Sequence, residues 1–364
     1  MKKLCHSLLF FSVAISLLNT GCKSHFTTKK SGSKSNYTTK VAISGNQWYF
    51  NDQIVNKGSP AEGLLMNVRM VNAVFEDRGE FLPKNIPDFD PEANTEEFIS
   101  MIPEYVSSGI NAFTISLQGG APGYENAINT AFNTDGSPRE AYFRRVEKVI
   151  HACDSYHAVV ILSCFYQRQH AHFSALKGKK EIIKALENVV SWITGKKFTN
   201  VLLEIANEYR HGGYENWPDG KWLMSEQGQI ELIRAAKRLN PKLLVSTSGM
   251  GHGTFPEPLA REVDFLTIHF NNTALEDIPS KIGELKKHGK PIICNEDDKL
   301  NYEGAAAMAL SVTNGCGWGY MNFSINQKIP FRFMGEADDT VVYKMFKNVS
   351  TPGYQINVEK MRTP

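Results

Sequence analysis

Eight short apolar runs, each followed by an amphipathic stretch, constrain this chain more than any other feature. The runs are Leu64–Val68, Ala112–Leu117, Val159–Cys164, Val201–Ile205, Leu243–Ser246, Phe265–His269, Pro291–Cys294 and Gly317–Asn322. Few charges interrupt them, as expected of parallel strands buried on both faces. Between them, apolar residues recur at helical spacing over 95–107, 139–156, 180–194, 227–239 and 275–288. A shorter Ala-rich piece over 304–313 and a stretch over 338–348 close the series, and Pro256–Arg261, after the fifth run, offers only a turn or two. Eight such units predict the α/β class, as a (β/α)8 (TIM) barrel. A doubly wound sheet would call for a glycine-rich phosphate turn after its first strand, and Asn67-Val-Arg-Met-Val-Asn72 has no glycine.

Ahead of the first run, residues 46–58 read as a small β-hairpin with Asn51-Asp52 as its turn. Further upstream, Lys2 and Lys3 precede an apolar run over 8–18, too short to span a bilayer permanently. Leu18-Asn-Thr-Gly-Cys22 follows and resembles a bacterial lipoprotein signal, which implies lipidation at Cys22. The division expected is therefore a signal peptide over 1–21, a flexible basic tether over 22–40 and a catalytic domain over 41–364. The protein would be exported and anchored by lipid in a bacterial cell envelope, at the outer membrane or the periplasmic face. Simple secretion, with Cys22 an ordinary thiol, is the alternative. Residues 41–364 carry 33 basic and 38 acidic side chains. That mildly acidic balance argues against nucleic acid as a partner. Cys153, Cys164, Cys294 and Cys316 form no C-x-x-C pair, which disfavours that type of zinc site, and buried free thiols are expected.

In such a barrel the chemistry sits at the C-terminal strand ends. Polar residues gather there: Arg69 and Asn72, Gln118, Tyr166 to Arg168, Asn207 and Glu208, Ser246 and Ser248, His269 and Asn271, Glu296 to Asp298, then Trp318, Asn322 and Gln327. Carboxylates cluster after the fourth and seventh strands, on opposite sides of a ring. Two carboxyls facing each other across a sugar-sized gap is what acid–base cleavage of a glycosidic bond requires.

Two motifs carry a resemblance. Val201-Leu-Leu-Glu-Ile-Ala-Asn-Glu-Tyr209 resembles the fourth-strand signature of clan A glycoside hydrolases, most like family 5, and Lys290-Pro-Ile-Ile-Cys-Asn-Glu296 resembles the seventh. The resemblance covers roughly 45–350 and implies a retaining hydrolase of a poly- or oligosaccharide that needs no metal or organic cofactor. Glu208 would be its acid/base and Glu296 its nucleophile. Asn207 would bond the sugar 2-hydroxyl, and His269 matches the clan's histidine. Arg69, Gln118, Arg168 and Trp318 complete the implied substrate contacts. The chain departs from family 5 where it carries Gln118 for an arginine, Tyr166-Gln-Arg168 for a histidine and Asn271 for a tyrosine. The resemblance therefore implies the clan and its mechanism rather than family 5 membership or cellulase activity. A raised Glu208 pKa is expected, so that the acid meets substrate protonated.

Other readings stay open. Asp297 and Asp298 compete with Glu296, because a slip of one residue turns a different side chain inward. Glu204, four residues before Glu208, is expected to hold the barrel interior by hydrogen bonds. Trp217, Trp222, Tyr124 and Tyr214 are candidate sugar platforms. The altered strand ends allow a catalytically silent glycan-binding barrel. His170-Ala-His172 has the spacing of a metal pair and, with the Asp297 cluster, would suit a metal-dependent hydrolase.

Overall fold

The computed structural model describes residues 39–76, 89–119, 129–167, 176–328 and 331–357. The expected signal and tether, Cys22 among them, lie outside the described residues, apart from Thr39 and Lys40. The first described strands form an antiparallel sheet: β1 (Val41–Ser44), β2 (Gln47–Phe50) and β3 (Gln53–Ile54). Asn51 and Asp52 join β2 to β3 with φ of 50° and 63°. Two left-handed residues match the twist of a tight hairpin, and Asn and Asp tolerate that region best. The hairpin thus gains a strand, β1, that the sequence hid. Its four residues pack on one side only, too little for a periodic signal.

The eight expected strands all form. They are β4 (Met66–Arg69), β5 (Ala112–Ser116), β8 (Val159–Phe165), β9 (Val201–Ala206), β10 (Leu244–Ser246), β11 (Leu266–His269), β12 (Ile292–Glu296) and β13 (Cys316–Tyr320). A short ribbon of β6 (Gln118–Gly119) and β7 (Asn129–Thr130) rises beyond β5. The sheet runs β10-β9-β8-β5-β4-β13-β12-β11, every neighbour parallel. A lone parallel bridge from Ser248 to Thr267 joins its two edges and closes the ring.

Helices flank the strands: α1 (Pro91–Ser107), α2 (Glu140–Ser155), α3 (Lys179–Lys196), α4 (Gly220–Leu223), α5 (Glu226–Leu239), α6 (Glu257–Glu262), α7 (Ile278–Leu285), α8 (Asn301–Thr313), α9 (Phe323–Asn326) and α10 (Thr340–Val349). Helix α1 starts four residues before its apolar stripe, because Asp90 accepts hydrogen bonds from the Glu92 and Ala93 amides and Pro91 suits a first turn. The weak piece after the fifth strand is α6, six residues long. No helix among the described residues is long and apolar enough to cross a membrane.

Two apolar clusters divide the core. One fills the lower barrel with Leu65, Ala112, Ile161, Leu202, Phe265 and Ile293, and Trp48 of β2 closes it from below, its ring 5.2 Å from Phe265. The other lies between the outward strand faces and the helices. Above the lower cluster the inward positions turn polar: Asn67, Thr114, Ser163, Glu204, Ser246, Thr267 and Asn295 are all fully buried. That layer is the floor of the site. The four described cysteines are free and buried, and desolvation pushes each thiol up.

Candidate active site

Strand ends bring five of the expected residues together. Arg69 ends β4, Asn207 and Glu208 follow β9, His269 ends β11 and Glu296 ends β12. Arg69 Nε lies 2.9 Å from Glu296 Oε2, and its Nη2 donates to Asn207 Oδ1 at 3.0 Å. The guanidinium fork therefore spans from the seventh barrel strand to the fourth. Asn271 Nδ2 donates to the other Glu296 oxygen at 3.1 Å. His269 Nδ1 faces both acids, 3.5 Å from Glu208 Oε1 and 3.8 Å from Glu296 Oε2. One carboxylate oxygen of each glutamate and one imidazole nitrogen lie within 4.8 Å of one another.

Local backbone aims these groups. Glu208 has φ of 46°, a left-handed position that costs a non-glycine residue energy and aims its side chain away from the course of β9. Its amide donates to Ser248 Oγ at 2.9 Å, which pins the turn. In β12 the register slips: Ile268 pairs with Cys294 but His269 with Glu296, so Asn295 is a bulge residue. The bulge keeps both Asn295 and Glu296 on the interior side. Asp297 then points outward, where it accepts hydrogen bonds from Trp318 Nε1 (2.9 Å) and Lys299 Nζ (3.0 Å). Glu296, and neither Asp297 nor Asp298, is the carboxylate beside Glu208.

The charges are unevenly held. Burial raises the Glu208 pKa, but the His269 hydrogen bond and the positive charges of His269, His211 and Arg69 outweigh it and hold the acid below the usual range. The expected upward shift is therefore corrected to a downward one. Burial pulls His269 down, and the two carboxylates beside it more than reverse that and raise it. Three atoms so spaced could chelate a divalent cation, yet Arg69 already sets a fixed positive charge against Glu296.

Gln167 is the contributor that the sequence reading left among the strand-end candidates. Its Nε2 donates to Glu208 Oε2 and its Oε1 accepts from Asn207 Nδ2, both at 3.0 Å. Strand-end position was the signal for it, and no motif singled it out. Two expected contacts lie elsewhere. Gln118 is fully buried and braces loops, donating to Thr130 Oγ1 and accepting from the Tyr166 amide. Trp318 is also fully buried, packed on Tyr320 and Phe346 on the helix side. Gly317 and Gly319 are the inward residues of β13, and a Cβ at Gly319 would lie 2.6 Å from Asn67 Nδ2.

Tyr214 and Trp217 are buried against Phe165 and the Asn207 carbonyl, and Trp222 lies under Lys179, so all three pack loops rather than face a sugar. Phe323, 37% exposed just past β13, is an aromatic at the rim that the sequence did not flag. Asn271 also lines a polar hollow of about 660 Å³ with Asp298, Lys299 and Leu300. Arg168, His170, His172 and Tyr124 lie outside the described residues.

Residues 85–329 match the family described as Cellulase (glycosyl hydrolase family 5). No curated protein sequence matches the chain. Similar solved structures include a putative glycoside hydrolase from Bacteroides vulgatus, 13% identical with a TM-score of 0.59, over 86% of this chain and 60% of that one. This chain thus spans about three fifths of that protein's length. A family 5 glycoside hydrolase from Prevotella bryantii, in complex with a xyloglucan tetradecasaccharide, is 14% identical with a TM-score of 0.52, over 82% and 99%. A family 5 lichenase from a Caldicellulosiruptor species is 13% identical with a TM-score of 0.53, over 86% and 100%. At these identities the likeness is one of fold.

Proposed function

The chain belongs to glycosyl hydrolase family 5, and from that premise we propose that it is a retaining glycoside hydrolase with Glu296 as nucleophile and Glu208 as acid/base. Membership corrects the narrower expectation from the strand-end departures. Those departures alter residues around the carboxylates, while the carboxylates keep their strands. One observation supports this reading. The nearest oxygens of the two acids, one from each, lie within 4.8 Å of each other beside His269. Such a close approach favours direct attack by Glu296, since double displacement uses carboxyls about 5–5.5 Å apart and inversion roughly 6.5–9.5 Å to admit a water.

In this reading Arg69 and Asn271 orient Glu296 for attack on the anomeric carbon. Glu208 protonates the leaving oxygen, then takes a proton from the water that releases the glycosyl-enzyme. The proton on arrival is held by a coupled pair rather than by one acid. His269 is pushed towards the imidazolium and Glu208 towards the carboxylate, with Nδ1 and Oε1 3.5 Å apart. A sugar that excludes water beside Glu208 strengthens its desolvation and draws the proton onto it. Asn207, already held by Arg69 and Gln167, would offer its amide to the 2-hydroxyl.

The substrate class proposed is a β-linked glucan, since the similar enzymes include a lichenase and a xyloglucan complex. The proposed setting is a bacterial envelope, with the enzyme anchored through Cys22. The test is hydrolysis of mixed-linkage glucan, xyloglucan and an activated aryl glycoside by wild type, Glu296→Ala and Glu208→Ala. Both variants should lose at least about 1,000-fold. Azide should restore turnover to Glu208→Ala with retained configuration, and to Glu296→Ala with inverted configuration. Near-normal rates in Glu296→Ala would sink the assignment. Binding without cleavage by wild type would favour the silent glycan-binding barrel. Metabolic labelling with a fatty acid, lost in Cys22→Ser, tests the anchor.

A further inference from the structure

Beneath the carboxylates lies a polar layer that the proposed chemistry does not use. Ser116, Ser163, Glu204 and Ser246 stand in direct lateral register on β5, β8, β9 and β10. Thr267 on β11 bridges Ser248, two residues beyond Ser246, and Asn295 on β12 faces Glu204. All six are fully buried. Five of their polar atoms have no hydrogen-bond partner among the described residues: Ser116 Oγ, Ser163 Oγ, Glu204 Oε2, Thr267 Oγ1 and Asn295 Oδ1. Buried polar atoms find partners in about nine cases of ten, and ordered water supplies the partner where protein does not. Five unpartnered atoms on neighbouring interior strands, one of them a carboxylate oxygen, therefore point to fixed water inside the barrel.

The layer also touches the bulge. Glu204 Oε1 faces Asn295 Nδ2 at 3.5 Å, and Asn67 Nδ2 donates to the Asn295 carbonyl at 3.1 Å. Thr114 in turn donates to Asn67 Oδ1 at 3.1 Å. Asn295 is the residue that slips the register just before Glu296. A bulge leaves one residue unpaired and the ladder locally broken, so side-chain contacts at that residue help to fix its geometry.

We propose that this layer is a hydrated bed anchored on Glu204, and that Glu204 is a positioning residue: through Asn295 it holds the bulge that turns Glu296 into the cleft. The inference rests on Glu296 being the nucleophile. Glu204 touches no reacting atom, so its loss should lower kcat while leaving KM nearly unchanged.

The test combines crystal structures at about 1.5 Å with kinetics on mixed-linkage glucan for wild type, Glu204→Gln, Glu204→Leu and Asn295→Ala. Wild type should show ordered water on Glu204 Oε2 and Ser163 Oγ. Glu204→Leu should displace Glu296 and lose at least about tenfold in kcat with KM within twofold. Glu204→Gln, which can still bond Asn295 and water, should recover most of that loss. Should Glu204→Leu not fold, Asn295→Ala carries the same expectation. Wild-type kcat in either variant, an unmoved Glu296 in Glu204→Leu, or a dry layer in wild type overturns the proposal. If wild type cleaves no glycan, the proposed function fails, and the crystallographic comparison still judges the bed by itself.

Discussion

Replacing Arg69 with methionine should destabilise the fold by about 3–5 kcal/mol, the range for breaking a buried ion pair from one side. The figure follows from the geometry. The Arg69 side chain is 3% exposed and that of Glu296 10%, with Nε and Oε2 2.9 Å apart. Methionine has nearly the volume of the arginine stem, so the cost is electrostatic rather than a cavity. What remains is a carboxylate with, among the described residues, Asn271 and His269 beside it, and an Asn207 oxygen without the Arg69 donor. Glu296→Gln makes the mirror-image error, a guanidinium without its anion. The double variant leaves neither charge stranded, so its cost should fall below the sum of the singles by at least about 2 kcal/mol. Urea denaturation of the four proteins measures this, provided the slope with denaturant is constant. If Arg69→Met cannot be purified, Arg69→Lys should cost about 1.5–3 kcal/mol, since one ammonium cannot serve both acceptors in the guanidinium plane. Single costs that add within about 0.5 kcal/mol would refute the reasoning, because they would mean Arg69 and Glu296 do not sense each other.

Other outcomes follow from the same contacts. Glu208 is depressed below its ordinary 4.5, so its stabilisation is present above that pH and lost as pH falls through the folded value. His269 is raised above its ordinary 6.5, so its stabilisation is full below 6.5 and lost as pH rises through the folded value. The stability deficit of His269→Asn should therefore be largest between about pH 4.5 and 6.5 and shrink on both sides, and a deficit flat from pH 4 to 9 would contradict the pairing. Trp318→Phe removes the indole donor to buried Asp297 and should cost about 1–3 kcal/mol in a thermal melt, with KM unchanged. A KM rise there would restore Trp318 as a sugar contact. Gly319→Ala should destabilise by about 1–3 kcal/mol or more, because its Cβ would sit 2.6 Å from Asn67 Nδ2 and 2.7 Å from the Cys294 carbonyl. Phe323→Ala should raise KM for a polymeric substrate by up to about tenfold with kcat little altered, through loss of a partly exposed ring whose one face Lys328 Nζ covers, 4.6 Å from its centroid.

Arg69, as the centre of the site, also explains why the altered strand ends need not dismantle it. Its fork ties Glu296 to Asn207, and Gln167 ties Asn207 to Glu208. The two carboxylates are thus linked through three intervening side chains drawn from the first, third and fourth barrel strands. A substitution at any of them should be felt at both acids, which is a physical reason to expect non-additive kinetics among Arg69, Asn207 and Gln167.

Sequence alone determined the ring of eight strands, because alternating apolar runs and amphipathic stretches are a property of local periodicity. It also determined that Asn207-Glu208 and Asn295-Glu296 end the fourth and seventh strands, since a motif at a strand's end travels with the strand. Tertiary structure decided which way each strand faces. A strand buried on both sides has no polar alternation to set its phase. Hence Trp318 reads as a cleft residue in sequence and lies on the helix side in the fold, where Gly317 and Gly319 have taken the interior. The bulge at Asn295 is invisible for the same reason, because it depends on what β11 offers across the ladder. Charge was decided last. Burial by itself would raise Glu208, and the approach of His269 from another strand, 61 residues away, with the charges of His211 and Arg69, reverses the sign.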